Sequence, residues 1–412
     1  MEELYTVFKG GRMIDGNGGA PVDKSVLVMK GKKIEAVGAE RLVPIPPGAK
    51  VIDVSGKTIM PGLIDAHLHL FGIKSINPLN WVIDPPELRG IRATMDAWKL
   101  IDNGFTTVRD CGNPNALYLK RAIEEGSIVG PRIVSCGAII SQTAGHGDVH
   151  FLPIDLVKRQ GFGRIADGVD ECRKAAREQL RAGADFIKLC STGGVMSEKD
   201  LPTSTQYTLE EIRAMVEEAH SVGAKCASHA QGTKGINNAL LAGVDTIEHG
   251  VFLNEETVEM MIKQKTFLVP TLSFFEAAVT RGPKCGIAEV NLIKARQIQI
   301  AHVKFLQIAI KAGVKICTGT DYLSDPMTPM GENAVELELQ VKAGRSPMDV
   351  IVSATKINSE ALGLNEKLGT LEAGKSADLI IVQGDPLQNI SVLRKKNIID
   401  VYKEGVKMPR LS

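Results

Sequence analysis

The sequence predicts an α/β architecture, a (β/α)8 TIM barrel carrying a small composite β-sandwich built from the two ends of the chain. Three observations lead there. Between about residues 60 and 363, short apolar runs alternate with helical patterns eight times, the order of elements that winds a parallel sheet. Asn-Gly or Ala-Gly pairs close several of those helices (Asn103-Gly104, Ala182-Gly183, Ala242-Gly243, Ala312-Gly313), as glycines that feed the next strand do. The outer segments instead read as short strands separated by tight turns.

Taken in order, residues 5–8, 25–29 and 33–37 are strands, the last two joined by a hairpin turn at Lys30-Gly31-Lys32. So small a sheet buries little alone and needs a partner. Residues 377–382 and 399–403 supply one, which places 1–58 with 364–412 in a composite β-sandwich domain and 59–363 in the barrel. The eight barrel strands are predicted at 63–70, 105–110, 132–140, 186–190, 225–229, 246–249, 267–272 and 314–318. The intervening helices are exemplified by 209–222, where Ile212, Met215, Val216 and Ala219 form one apolar stripe behind an N-cap at Thr208. The first strand lacks a GxGxxG turn, which sets the barrel ahead of a doubly wound open sheet.

Composition removes several classes of function. A formal charge of +1, from 49 basic and 48 acidic residues, leaves no electrostatic footprint for nucleic acid or an anionic membrane. No apolar run has the length of a membrane span, and the first residues lack a basic leader ahead of an apolar core, so a cytoplasmic protein is expected. The seven cysteines (111, 136, 172, 190, 226, 285 and 317) show no CxxC spacing and read as reduced thiols, with Cys190 and Cys317 in the core.

Chemistry starts at Leu63-Ile64-Asp65-Ala66-His67-Leu68-His69-Leu70. Alternation along a strand puts His67 and His69 on one face, about 6.6 Å apart, with Asp65 on the same face. Two histidines in a core strand mean little alone, but a barrel gathers its strand ends at one face. Lys188 lies on strand 4, His229 ends strand 5, His249 ends strand 6 and Asp321 follows strand 8. Four imidazoles and a carboxylate are ligands for divalent cations. A lysine among them is expected to be neutralised by burial and nearby cations, and its amine can then take up carbon dioxide as a carbamate that bridges two ions. A Schiff-base lysine is the competing reading, and the surrounding histidines fit it poorly. Two ions are therefore expected, with zinc favoured by the imidazoles and manganese, iron or nickel as alternatives. They would share a hydroxide at neutral pH, with Asp321 taking and returning the proton.

These residues carry a resemblance that covers essentially the whole chain. His67-x-His69, Lys188, His229, His249 and Asp321, the lead-in Thr58-Ile59-Met60-Pro61-Gly62-Leu63-Ile64-Asp65 and the return 369–379 (GTLEAGKSADL) resemble the amidohydrolase superfamily. The stretches 106–110 (TTVRD), 145–148 (GHGD), 192–197 (TGGVMS) and 247–250 (IEHG) resemble its prolidase-type branch, which includes zinc carboxypeptidases acting on dipeptides and N-acyl amino acids. The resemblance implies that His67 and His69 hold the more buried metal with Asp321, that Lys188 bridges, that His229 and His249 hold the outer metal, and that His146 polarises the scissile carbonyl. It implies a small-molecule substrate and a homo-oligomer.

Gly145 and Gly147 let the loop turn sharply around His146, and His150 nearby is a second candidate for substrate contact. Relatives place an aromatic or imidazole side chain two residues after the strand 5 histidine. Gln231 stands there instead, able to bind substrate but not to act as an acid. The loops at the strand ends hold Trp81, Phe151, Phe162, Tyr207, Phe274, Phe275 and Tyr322, which suggests a pocket for an apolar or aromatic side chain. Lys158, Arg159, Arg164 and Arg281 are candidates for a substrate carboxylate. His220 and His302 read as surface or packing residues. The reaction expected is hydrolysis of an amide bond in a dipeptide or N-acyl amino acid. The alternative is a cyclic amide, lactone or phosphotriester on the same metals.

Overall fold

The computed structural model describes residues 5–411 apart from 151, 161, 162 and 198, with 78 and 158–160 described by their backbone only. The predicted hairpin forms: Ser25–Lys30 and Lys33–Ala39 pair antiparallel around Gly31, whose φ of 54° suits the tight turn. Tyr5–Lys9 pairs antiparallel with the first of these and parallel with Lys50–Asp53. A second sheet draws on both ends of the chain. Leu379–Gln383 lies between Lys57–Pro61 and Ile398–Lys403, antiparallel to both, and Arg12–Met13 runs parallel to Lys57–Pro61. Phe8, Leu27, Ile59, Leu379 and Tyr402 share one buried cluster, so strands distant in sequence cover each other's apolar faces.

Apart from Val406–Lys407, which is antiparallel to Ile398–Lys403, the remaining strands are parallel and fall in two sheets. One holds Leu63–Leu68, Phe105–Asp110 and Arg132–Ser135; the other runs Gly163–Ile165, Ile139–Ser141, Phe186–Cys190, Lys225–Ala230, Thr246–His249 and Phe267–Val269. Helices lie between them as the sequence predicts. Leu209–Ser221 begins in a capping box, with Thr208 accepting from Glu211 N and Glu211 accepting from Thr208 N. It buries Ile212, Met215, Val216 and Ala219, and each of the larger side chains gains about 1.5–3 kcal/mol from burial. Gly183, Gly243 and Gly313 end helices in the left-handed conformation. Among the described residues no helix is long and apolar enough to cross a membrane.

Three strands depart from expectation. The one predicted over 132–140 breaks at 136–138, where Gly137 adopts φ 67°, and its halves join different sheets. The one predicted over 267–272 stops at Val269, ahead of Pro270. The one predicted over 314–318 makes only an isolated bridge, Ile316 with Leu268, and beyond it Tyr322 bridges Leu68. Its backbone still bonds to both neighbours, with Leu268 N donating to Lys315 O (3.0 Å) and Ala66 N to Thr318 O (2.9 Å). A side chain interrupts the ladder: Asn358 Nδ2 donates to Ile64 O (2.6 Å) and Thr318 O (2.9 Å), and its Oδ1 accepts from Thr318 N (3.0 Å).

Candidate active site

The strand ends converge on Asp321. His67 lies inside Leu63–Leu68 and His69 one residue beyond it, and their Nε2 atoms stand 3.4 and 3.2 Å from Asp321 Oδ1. The three ligand atoms lie within 4.8 Å of one another. His249, at the end of Thr246–His249, places its ring 5.1 Å from that of His67 and 4.6 Å from that of His229. His146 arrives from its loop and stacks on His229 at 4.1 Å. Lys188 is buried in Phe186–Cys190, and its charge is felt by His67, His229 and His249.

Each strand-end imidazole has one nitrogen committed to the protein. His67 Nδ1 bonds Glu248 Oε2 (2.6 Å), His69 Nδ1 faces Gly112 O (3.4 Å), His229 Nε2 bonds Gly193 O (3.0 Å) and His249 Nδ1 bonds Thr271 Oγ1 (2.7 Å). A carbonyl or carboxylate partner holds the ring proton on the bonded nitrogen, which leaves the other nitrogen a lone pair. Oriented imidazoles of this kind, with a carboxylate between them, are a donor set that fits divalent metal ions. Cys111 forms a second group with His67 and Glu248, but the His67 nitrogen there is the one already bonded to Glu248.

Electrostatics agree for most of the set. Burial lowers His69, His146, His229 and His249 from the ordinary imidazole value, which favours the neutral ligand form. For Asp321 burial acts the other way, but the charge of His67 and hydrogen bonds from His67 and His69 outweigh it and hold the carboxyl well below its usual range. His67 is the exception. Burial works against its proton, yet Cys111, Asp321 and Glu248 raise it. Lys188 corrects an expectation: burial lowers it, but Cys111, Glu248, Cys190 and Asp321 outweigh burial and hold the amine above its usual value. The neighbours of Lys188 that dominate are acids rather than cations.

Several residues around the site escaped the sequence. Glu248, fully buried, accepts from Arg109 Nη2 at 2.7 Å and from Thr246 Oγ1, while Arg109 Nε donates to Ala66 O at 2.6 Å. The stretches 106–110 and 247–250 contain both partners, but nothing in one sequence pairs them. Asp65 does not join the ligands. It accepts from His67 N (3.0 Å), Thr320 Oγ1 (2.8 Å) and Asn333 Nδ2 (2.8 Å), bracing the first strand against the Asp321 segment. His146 Nδ1 bonds Ser197 Oγ at 2.9 Å, and Ser197 in turn donates to Asp200. His249, Thr271 and Asp321 all take positive φ, 71°, 52° and 57°, a strained backbone that concentrates at functional sites.

Other candidates sit differently. His150 lines the cavity, but its Nε2 bonds Gly145 O (2.9 Å) and its Nδ1 accepts from Lys199 N (3.3 Å), so both ring nitrogens are taken. Gln231 is buried and lies outside the cavity lining; its backbone N–H donates to Thr192 Oγ1 at 2.9 Å, and its side-chain Oε1 has no partner among the described residues. Arg164 is bound by Glu178 and Glu171, and Arg281 by Glu332. His302 packs beneath the site and bonds His249 O at 2.8 Å, and His220 pairs with Asp245 at 2.8 Å. Cys190 and Cys317 are buried, as expected.

A cavity of about 470 Å³ opens over His69, His146 and Asp321. Phe71, Trp81, Phe274, Ile287 and Leu323 form much of its apolar wall, with Phe71 stacked between His69 (5.0 Å) and Trp81 (5.8 Å). Of the predicted aromatics, Tyr207 instead donates to Ala166 O, Phe275 lies against His249 and His302, and Tyr322 is buried. Phe151 and Phe162 lie outside the described residues, as do the side chains of Lys158 and Arg159.

Comparison with known proteins gives the same picture. Residues 58–408 match the Amidohydrolase family. Ochratoxinase of Aspergillus niger is 34% identical over 98% of this chain and 86% of its own length, and its crystal structure superposes with a TM-score of 0.91 at 32% identity, covering 100% of this chain and 97% of the other. A prolidase solved with N-methylphosphonate-L-proline matches at a TM-score of 0.92 and 33% identity over 99% and 100% of the two chains. A Xaa-Pro dipeptidase solved with methionine in its active site matches at 0.88 and 34% over 98% and 99%. The chain belongs to the amidohydrolase family, in its prolidase-type branch, and is a hydrolase acting on amide bonds.

Proposed function

We propose that the protein hydrolyses the amide bond of a dipeptide or N-acyl amino acid at a site for two divalent ions, zinc being the ion the imidazoles favour. One observation carries this reading: of four imidazoles with one nitrogen each tied back to the protein, three stand around a deprotonated Asp321 and the fourth, His229, packs against His249. His67, His69 and Asp321 would hold the inner ion, His229 and His249 the outer one, and Lys188, carbamylated by carbon dioxide with loss of a proton, would bridge them. Ions held there would polarise the scissile carbonyl and make a water acidic enough to attack at neutral pH. The carboxylate of Asp321 is the group placed to take that water's proton and return it to the leaving nitrogen. Its positive φ of 57° keeps the backbone turned so that the carboxylate meets both His67 and His69.

His146 would bind the substrate's carbonyl oxygen. Its Nδ1 is engaged by Ser197 and, through it, Asp200, which leaves Nε2 for the substrate. In the neutral ring that burial favours, Nε2 donates when Ser197 turns its hydroxyl towards Nδ1. The Phe71 and Trp81 ledge with Phe274 favours an apolar or aromatic side chain. Side-by-side turnover of N-acyl amino acids, dipeptides, hydantoins, lactones and phosphotriesters tests the reading. Preference for the first two supports it, and preference for a lactone or phosphotriester overturns it.

The architecture we propose around this site is a closed (β/α)8 barrel over 59–363, with the segment 315–322 as its eighth wall, and a composite β-sandwich of 1–58 with 364–412. Backbone bonds from that segment to Leu268 on one side and Ala66 on the other favour closure. We also place the protein in the cytoplasm as a homo-oligomer. Seven free cysteines, six of them buried, suit a reducing compartment, and light scattering tests the assembly.

A further inference from the structure

The stretch Thr192-Gly193-Gly194-Val195-Met196-Ser197 supplies none of the candidate metal ligands, yet it touches two of the imidazoles at the site. Gly193 O accepts from His229 Nε2 at 3.0 Å. Gly194 lies so close to His146 that a Cβ there would stand 2.2 Å from the ring's Cε1. A residue without a side chain leaves the imidazole room to stack on His229 at 4.1 Å. Three residues further on, Ser197 Oγ stands 2.9 Å from His146 Nδ1. One short segment therefore seats both rings.

A cycle of hydrogen bonds that begins and ends on His146 holds this seat. The backbone N–H of His146 donates to Gln206 Oε1 (3.0 Å), and Gln206 Nε2 donates to Asp200 Oδ2 (2.9 Å). Asp200 Oδ1 accepts from the Ser197 hydroxyl and from Gly194 N (3.3 Å), and Ser197 Oγ returns to the His146 ring. An N–H on one side and a carboxylate on the other fix which way the Gln206 amide faces. Asp200 and Gln206 are buried, where breaking one bond leaves its partner unsatisfied. Two contacts brace the cycle from outside. Lys294, on the helix Glu289–Ala312, donates to Ser197 O (3.1 Å) and Asp200 O (3.0 Å). His150 bonds Gly145 O (2.9 Å) and accepts from Lys199 N (3.3 Å), which pins the His146 loop to the same segment. The two oxygens of Asp200 thus reach His146 twice, through Gln206 to its backbone and through Ser197 to its ring. Asp200 itself is not among the residues that line the cavity.

We infer that Asp200 is the positioning residue of His146, acting through Ser197 and Gln206 to hold the imidazole over His229 in the place where it meets the substrate. This rests on the reading of His146 as the group that binds the substrate's carbonyl oxygen. The test is a double-mutant cycle on the holoenzyme with N-acetyl-L-phenylalanine and L-alanyl-L-phenylalanine: Asp200→Ala and Ser197→Ala, each in the native and the His146→Ala background, with bound metal measured on every sample. His146→Ala should lower kcat by about 100-fold, the loss that follows removal of one donor to a developing oxyanion. Asp200→Ala and Ser197→Ala should each lower kcat by about tenfold or more, with KM within about twofold and metal content native, since a misplacement of about 1 Å costs up to about 100-fold. In the His146→Ala background the same substitutions should change kcat by less than about threefold, because the ring they position is gone. A structural role would instead cut kcat by one factor in both backgrounds, and that result overturns the inference. Native kcat in Ser197→Ala and Asp200→Ala, or a fall that tracks lost metal, overturns it as well. Should Asp200→Ala fail to fold, Ser197→Ala decides alone. If His146→Ala keeps native kcat, the reading of His146 fails first and takes the inference with it, while amide hydrolysis stands. If the native enzyme cleaves neither compound nor any dipeptide, amide hydrolysis itself is the reading that fails.

Discussion

Replacing Glu248 with glutamine should unsettle both the fold and the proposed metal site, for separable reasons. Glu248 and Arg109 are 0% and 1% exposed and 2.7 Å apart, so the substitution leaves a guanidinium buried without its counter-charge. Breaking such a pair costs about 3–5 kcal/mol. With an unfolding entropy of about 2.1 cal/mol/K per residue, that lowers the melting temperature of a chain this long by roughly 3–6 °C. The second effect is on His67. A carboxamide that keeps its oxygen towards Arg109 turns its N–H2 towards His67 Nδ1. The ring proton then moves to Nε2, the nitrogen 3.4 Å from Asp321. A ligand in the wrong tautomer loses metal affinity by about 10–100-fold. Differential scanning calorimetry and competition with a metal chelator read the two effects apart. A Glu248→Gln protein with native melting temperature and native metal affinity would refute this reading of the buried relay.

Other consequences follow from the same geometry. Asp321→Asn should keep the fold but lose turnover by orders of magnitude at every pH, measured as kcat; near-native kcat would remove Asp321 from proton transfer. Lys188→Ala should be inactive and regain part of its turnover with added short-chain carboxylic acids, which stand in for the carbamate. No rescue across acetate, propionate and formate would speak against a bridging carbamate. Burial raises the Glu336 carboxyl to about 7, so the folded state holds a proton there that the unfolded chain releases near 4.5. Its contribution is complete below the unfolded value and is lost as pH rises through about 7. Glu336→Gln should therefore gain on the native protein between pH 5 and pH 8, by about 2–3 kcal/mol, since a tenfold difference in proton affinity is worth about 1.36 kcal/mol. Urea unfolding at both pH values checks this, and a difference independent of pH contradicts it.

What the sequence revealed and what it hid follow from the range of the interactions. His67 and His69 were legible because alternation along a strand is local, and His229 and His249 because each ends an apolar run. Asp65 obeys the same alternation, yet its carboxylate is claimed by Thr320 and Asn333, partners more than 250 residues away. The apolar run at 314–318 was legible, but not that it makes no regular strand pairing. Asn358 takes up Thr318's backbone groups from the helix Asn358–Ala361, and Gly319 lies so near His67 that a Cβ would stand 2.8 Å from the His67 Cβ. The acceptors that orient the rings, among them Glu248, Gly193 O and Thr271, come from different strands and loops, and no spacing announces them. The aromatic pocket was half legible. Trp81 and Phe274 line it, whereas Tyr207, Phe275 and Tyr322, from the same loops, turn into the core.

The claim on which the rest depends is that the four imidazoles, Lys188 and Asp321 hold two metal ions that cleavage of an amide bond requires. Stripping the protein with a chelator and titrating zinc back, while measuring bound metal by mass spectrometry and N-acyl amino-acid turnover on the same samples, tests it directly. Activity should be absent without metal and reach its plateau at two equivalents per chain, with both ions retained. Full activity at one equivalent, or in the stripped protein, would contradict it.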